Sequence, residues 1–84
     1  MEIPNESAPS WPGYPETIAK RFGKRLRGLR MERGLTQLQL AIRIDINRSF
    51  LSDVERGVKE MTLSNLDRTA SAFNMSLSNL FEDV

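Results

Sequence analysis

Cysteine and histidine are both absent from this 84-residue chain, and their absence removes several classes of function. Without cysteine the chain has no disulfide and no thiolate nucleophile, so nothing points to secretion. Without histidine it also lacks a Cys/His zinc site, a Ser-His-Asp triad and an imidazole general base. We therefore expect a protein that is not an enzyme and that uses no metal ion, no other cofactor and no small-molecule ligand.

Long apolar segments are also missing. The longest uninterrupted apolar run has three residues, Leu40-Ala41-Ile42, which is too short for a transmembrane helix or the core of a signal peptide. A chain of 84 residues is long enough for one small hydrophobic core and too short for a second. We expect a single cytoplasmic domain with no membrane association.

Proline is confined to one end of the chain. All four prolines lie in the first fifteen residues, together with Trp11 and Tyr14, the only tryptophan and the only tyrosine. Prolines at this density disfavour a helix or a central strand. The composition predicts an N-terminal arm over residues 1–14 and a folded domain over 15–84.

The domain has the hydrophobic spacing of helices and no period-two segment, so an all-α fold with five helices is predicted. The first helix is expected from Pro15 to Arg33, with Gly34 as its left-handed stop and with Gly23 and Gly28 weakening its interior. The other four helices each follow a residue that caps helix N-termini, and these residues are Thr36, Asn47, Thr62 and Ser76.

Charge is unevenly distributed, although the whole chain carries a net charge of only +1. Residues 20–59 contain eleven basic and four acidic residues, a net charge of +7, and the two flanks together carry −6. A basic centre between acidic ends suggests a polyanion as partner, while a solvated helix surface is the alternative.

The third helix separates into two faces at 100° per residue. Its apolar side is formed by Phe50, Leu51 and Val54. Its other side is polar, begins with Arg48 and follows a tight turn at 45–47. A helix fits the major groove of DNA, where arginine can donate two hydrogen bonds to guanine O6 and N7. The polar side is therefore a candidate surface for contacting base edges.

Several short motifs occur in a characteristic order along the chain. They are Leu26-Arg27-Gly28-Leu29-Arg30, Gly34-Leu35-Thr36-Gln37, Leu40-Ala41, Ser49-Phe50-Leu51-Ser52 and Val54-Glu55-Arg56-Gly57. With these motifs, residues 22–82 resemble the lambda-repressor-like helix-turn-helix family, also called the XRE family. Within it the chain is similar to small stand-alone regulators, such as the controller proteins of restriction–modification systems.

This resemblance implies a transcription regulator that binds double-stranded operator DNA as a two-fold homodimer. The residues implied to face base edges are Arg48, Ser49, Ser52 and Asp53. The residues implied to lie at the phosphate backbone are Thr36, Gln37, Asn47, Arg56 and Lys59. For Asp53, a contact to cytosine N4 and a purely repulsive role against phosphate remain open alternatives.

Two further expectations concern the folded core and its turn. The resemblance implies that Arg30 on the first helix pairs with Glu55 on the third, as an architectural contact. The turn carries Asp45 where the family has glycine, so we expect a strained but intact left-handed residue there.

The C-terminal end is rich in apolar residues. We expect some of them to face the core and the remainder to form the dimer interface, the candidates being Phe73, Leu77, Leu80, Phe81 and Val84. Dimerisation would place the two third helices about 34 Å apart, which is one turn of DNA.

The second helix has a wider apolar arc than one core-facing stripe needs, because Leu38 and Ile42 extend it. We expect Trp11 and Tyr14 of the arm to pack over these two residues, in the same chain or across a dimer. The alternative is that they are exposed or contact another protein. That alternative favours a second function, an antitoxin-like or other protein-interaction module in which DNA binding is secondary.

Overall fold

The computed structural model describes residues 16–84, and within that range the fold is made of helices without a strand. The predicted all-α fold with five helices is confirmed. The proposed arm lies outside the described residues, so the domain boundary stays a prediction. No helix in the described range has the length and apolar character needed to cross a membrane. The helices are α1 (Ile18–Glu32), α2 (Gln37–Ile44), α3 (Arg48–Glu55), α4 (Leu63–Ala72) and α5 (Leu77–Leu80).

The first helix begins later than the sequence pattern predicts. Thr17 is extended, with φ −64° and ψ 158°, and its hydroxyl accepts a hydrogen bond from the Lys20 amide at 3.2 Å. A threonine in this conformation is the N-cap, so the helix starts at Ile18. The prediction of a start at Pro15 was wrong, because the helix is capped by Thr17, two residues later.

The other helix boundaries follow the predicted caps. Thr36 forms a complete capping box with Gln39, since each side chain bonds the other residue's backbone amide, at 3.1 and 2.9 Å. A left-handed residue occurs at Gly34 (φ 66°), as expected, and another at Asn74 (φ 56°) after α4. The remaining predicted caps, each with its side chain bonded to a backbone amide in the first turn, are Asn47, Thr62 and Ser76.

The core is formed by apolar side chains from all five helices, with α3 packed against α1 and α2, and α4 packed against α2 and α5. Leu51 and Val54 of α3 are fully buried, so this helix presents its apolar side inward as predicted. The other core residues are Phe22, Leu26, Leu29, Leu40, Ala41, Ile44, Ala70, Phe73 and Leu80. Ile18, in the first turn of α1, is more than half exposed although its spacing of four from Phe22 puts both residues on one side of the helix.

Gly23 marks the place where α1 crosses the C-terminal end of α3. A Cβ atom at this position would lie 2.5 Å from the Val54 carbonyl oxygen and 2.6 Å from that of Glu55. Gly28 is different, because a Cβ there would have no neighbour within 4 Å. The two glycines that looked alike in the sequence therefore have different roles, and only Gly23 is required by the packing.

Arginines of α1 bind the ends of other helices. The Arg25 guanidinium donates to the carbonyls of Asn79 (2.7 Å) and Leu80 (3.2 Å) at the end of α5. Arg33 donates to the Phe73 carbonyl at 3.1 Å, at the end of α4. The last carbonyls of a helix lack partners within it and carry partial negative charge, so both contacts are favourable.

These contacts change the interpretation of the basic centre, because much of its charge is committed to holding the fold together. Within residues 16–84, four of its eleven basic side chains are exposed and have no hydrogen bond or ion pair. They are Lys20, Arg27, Arg43 and Arg48.

Candidate nucleic-acid interface

The connection between α2 and α3 is a tight turn that aims the start of α3 outward. Asp45 adopts the left-handed conformation with φ 56° and ψ 51°, as the sequence predicts. The Ile46 amide then donates to the Ala41 carbonyl at 3.0 Å, which closes the end of α2. Aspartate is one of the few non-glycine residues that tolerate this backbone region. The turn is intact, with two helices in a helix-turn-helix arrangement.

The first turn of α3 presents polar side chains to solvent. The Asn47 side chain accepts a hydrogen bond from the Ser49 amide at 2.7 Å, which caps the helix and fixes where it starts. Arg48 and Ser49 are exposed, and Ser52, one turn later, is half-buried on the same side. Because Leu51 and Val54 occupy the opposite side, this polar surface faces away from the core.

At the other end of α3, Asp53 lies between two cations. One carboxylate oxygen accepts a hydrogen bond from Arg56, and the other lies 3.2 Å from the Lys59 ammonium. These hydrogen bonds, first from Arg56 and then from Lys59, hold the pKa of the Asp53 carboxyl below its ordinary value. Lys59 also lies over the Phe50 ring, 6.0 Å from its centroid. The result is a preformed cluster in which a carboxylate fixes two cations.

This arrangement bears on the two alternatives for Asp53. Both of its oxygens are engaged, and its side chain is only 20% exposed. A carboxylate oxygen can accept more than one hydrogen bond, but a cytosine amino group would have to share this largely shielded carboxylate with both cations. The geometry favours a role in holding these cations over direct base contact.

The start of α2 supplies the remaining candidate phosphate contacts. Thr36 is exposed, and its hydroxyl is engaged in the capping box described above. Gln37 is half-buried, and its side-chain amide donates to the Glu55 carboxylate at 3.1 Å. This contact brings the start of α2 beside the end of α3. No sequence signal predicts it, since the two residues are 18 positions apart on different helices.

The predicted pair of Arg30 and Glu55 is present as a bidentate salt bridge. Arg30 Nε lies 2.7 Å from Glu55 Oε2, and Nη2 lies 3.0 Å from Oε1. The side chains are 12% and 3% exposed, so the pair is shielded from water. Arg30 also donates to the Leu35 carbonyl at 2.8 Å, which ties α1 to the segment before α2.

Two of the five candidate interface residues are the ones that face the core, and the interface itself stays a prediction. Phe73 and Leu80 are 2% and 0% exposed, because α4 and α5 turn them into the core of their own chain. Phe81 is half-buried with its ring centroid 5.3 Å from that of Phe22, and Val84 is half-buried too. Leu77, at 42% exposure, is the most accessible member of the set.

Leu38 and Ile42 are exposed on α2, by 54% and 70% of their surface. This agrees with the wide apolar arc of that helix. Trp11 and Tyr14, which we expect to cover them, lie outside the described residues, so that contact stays a prediction.

Comparison with known proteins identifies the architecture. The family model described as a helix-turn-helix domain matches residues 21–80 of this chain. The chain belongs to this family. The predicted resemblance is therefore confirmed. In this chain the two helices of the helix-turn-helix motif are α2 and α3.

Individual relatives of this helix-turn-helix chain are regulators. Control protein C.MunI from a Mycoplasma species is 37% identical over 68 residues, which span 80% of this chain and 92% of that protein. The restriction-modification controller protein C.AhdI from Aeromonas hydrophila has a similar crystal structure. It is 38% identical with a TM-score of 0.73, over 76% of this chain and 97% of that chain.

A second similar structure includes DNA. It is the crystal structure of SinR, a master regulator for biofilm formation, in complex with DNA. SinR is 25% identical with a TM-score of 0.66, over 70% of this chain and 95% of that chain.

Proposed function

We propose that this chain is a sequence-specific DNA-binding transcription regulator that acts on operator DNA as a two-fold dimer, and that it has no enzymatic activity. The observation that carries the proposal is the exposed polar side of α3, which begins directly after the helix-turn-helix connection with Arg48, a side chain that has no bonded partner among residues 16–84. The likeness to C.MunI and C.AhdI favours a controller-type regulator. Because operator DNA is the proposed partner, we also propose a cytoplasmic location.

The proposed DNA-contacting residues form two groups, base contacts and phosphate contacts, according to their position on α2 and α3. Base contacts are assigned to Arg48, Ser49 and Ser52, since their side chains lie on the outward side of α3, which would face the base edges. Asp53 belongs to the same surface and would act by restraining Arg56 and Lys59. The phosphate contacts are assigned to Thr36, Gln37, Asn47, Arg56 and Lys59, at the start of α2 and the two ends of α3.

Arg48→Ala is expected to weaken binding to the operator by about 1–3 kcal/mol and to relax the preference at one base pair in each half-site. The physical reason is that a bidentate arginine–guanine contact distinguishes bases, whereas a phosphate contact does not. The measurement is electrophoresis of the wild-type and variant proteins on DNA selected from a random pool and on unselected DNA. Arg27→Ala, which removes an exposed cation of α1 that has no bonded partner in the described part of the chain, is the control for loss of charge.

The comparison of the two DNA samples decides the role of Arg48. If Arg48→Ala weakens binding to selected and unselected DNA by the same factor, Arg48 contacts only phosphate. If the wild-type protein selects no sequence from the pool, the proposed function is wrong.

The dimer proposal rests on the apolar side chains left accessible near the C-terminal end. Leu77 begins α5 and is 42% exposed, while Phe81 and Val84, which follow α5, are half-buried. Burying such a patch against its own copy removes apolar surface from water on both chains, which favours association. A two-fold dimer would space the two α3 helices at about 34 Å, matching one turn of DNA.

We expect the wild-type chain to sediment as a dimer at high micromolar concentration and Leu77→Glu to sediment as a monomer. The substitution places a charge in the proposed apolar interface, where it has no partner. Glutamate at the first position of a helix is favoured, so α5 itself is preserved. Ile42→Glu, at a 70% exposed position on α2, should remain dimeric. A monomeric wild-type chain at that concentration contradicts the proposal.

A protein-interaction module is the second candidate, and the exposed Leu38 and Ile42 are the observation that favours it. Adjacent apolar side chains on one helix face are a common feature of surfaces that bind another protein. A co-purifying protein partner, with no sequence selected from the DNA pool, would favour this function over the first.

A further inference from the structure

The carboxylate of Glu55, the last residue of α3, is bound by side chains from two other helices. Arg30 of α1 binds it through two hydrogen bonds, at 2.7 and 3.0 Å. Gln37, the first residue of α2, donates its amide to Oε1 at 3.1 Å. The same arginine reaches the Leu35 carbonyl, just before α2. The Arg30 and Glu55 side chains are 12% and 3% exposed, so this network is largely closed to water.

The contact determines which way the Gln37 amide points. A glutamine side chain ends in a carbonyl oxygen, which only accepts hydrogen bonds, and an NH₂ group, which donates two. Facing the Glu55 carboxylate, the oxygen would be repelled, so the nitrogen must take that side. One N–H is then used by Glu55, and the second N–H remains available to another acceptor.

We propose that Glu55 is a positioning residue for DNA binding, which orients the Gln37 amide so that its second N–H donates to a phosphate oxygen of the DNA. This rests on the proposed function, and it assigns to a buried acidic residue a part in binding a polyanion. The negative charge is tolerated there because the bidentate Arg30 neutralises it. Glu55 thereby connects the start of α2, which holds phosphate, to the end of α3, the helix that contacts bases.

Orientation before binding has an energetic consequence. A free glutamine side chain must lose rotamer freedom when it binds, and this loss opposes binding. Gln37 is already held by Glu55 in the protein without DNA, so less freedom is lost when the phosphate arrives. Removing the Glu55 carboxylate should therefore weaken the contact made by Gln37 and leave contacts made by other residues unchanged.

A double-mutant cycle on operator affinity tests this, because coupled residues give non-additive effects. The four proteins are the wild type, Gln37→Ala, Glu55→Gln and the double variant, each measured by titration of labelled selected DNA where circular dichroism shows it folded. We expect each single variant to weaken binding several-fold. We expect the double variant to bind as weakly as Gln37→Ala alone, since Glu55 acts through Gln37.

A merely structural role for Glu55 gives a different result. Glu55→Gln would then weaken binding by the same factor with glutamine or with alanine at position 37, and the proposal is overturned. If the wild type binds selected DNA no better than unselected DNA, the proposed function fails and this inference fails with it. The two failures are thus distinguishable by the wild-type protein alone.

A second measurement needs no substitution at Glu55 and covers the case in which that variant does not fold. Gln37 and Gln39 are the only glutamines in the chain, so their side-chain amides give two resolvable pairs of nitrogen-attached proton signals in NMR spectra. In the DNA-free wild type, we expect the Gln37 amide proton that is bonded to Glu55 to exchange with water more slowly than the amide protons of Gln39. Equal exchange rates for the two glutamines would mean that Glu55 does not hold Gln37, which overturns the proposal.

Discussion

Arg30→Ala is expected to lower the free energy of unfolding by about 3–5 kcal/mol, because it leaves the Glu55 carboxylate buried without its counter-charge. Glu55 is 3% exposed at its side chain, so water cannot replace the two hydrogen bonds that Arg30 donates. A small domain has a total stability of about 5–15 kcal/mol, so a loss of this size brings it close to unfolding at room temperature. Urea denaturation followed by circular dichroism measures the change.

Arg27→Ala is the matched control for this substitution. It removes the same side chain from the same helix, at an exposed position with no bonded partner among residues 16–84. Its effect should stay within about 0.5 kcal/mol. A loss below about 1 kcal/mol for Arg30→Ala would show that the pair behaves like an exposed surface salt bridge, contrary to its burial.

Gly23→Ala and Gly28→Ala are expected to change stability in opposite directions, although both put alanine into the interior of α1. At Gly23 the added methyl group would lie 2.5 Å from a carbonyl oxygen of α3, which forces the two helices apart and costs about 1–3 kcal/mol or more. At Gly28 the methyl group meets nothing within 4 Å, and alanine favours the helix by about 0.5–1 kcal/mol. Thermal unfolding of the two variants measures both changes.

Comparing Gly23→Ala with Gly28→Ala is informative because helix propensity alone predicts the same stabilisation at both positions. Stabilisation by Gly23→Ala would mean that α1 and α3 do not approach as closely as the structure shows. Destabilisation by Gly28→Ala would mean that this position packs against something outside residues 16–84. Either result would contradict the packing assigned here.

The basic centre illustrates why residue type alone did not assign function. Eleven basic residues in 20–59 suggested a polyanion-binding surface. Arg25 and Arg33 instead bind carbonyls at the ends of α5 and α4, and Arg30 neutralises a buried carboxylate. The guanidinium group serves both purposes equally well, since it donates to carbonyl, carboxylate and phosphate oxygens alike.

Much of the fold follows from short-range rules that act within a few residues. The capping positions at Thr36, Asn47, Thr62 and Ser76 are visible in the sequence because a hydroxyl or amide side chain bonds an amide in the next turn. The left-handed stop at Gly34 depends in the same way on local backbone sterics. The polar side of α3 follows from helical periodicity alone, and it carries the proposed base contacts.

Only the tertiary structure decided which side chains meet across helices. It placed Phe73 and Leu80 in the core. The sequence could not decide this, because the apolar pattern of α4 and α5 does not distinguish a face turned inward from one left for a partner. The tertiary structure separated Gly23 from Gly28, and it joined Gln37 to Glu55 across 18 positions of sequence. Local rules determined where each helix begins and ends, and the long-range packing of those helices determined which residues are free to bind DNA.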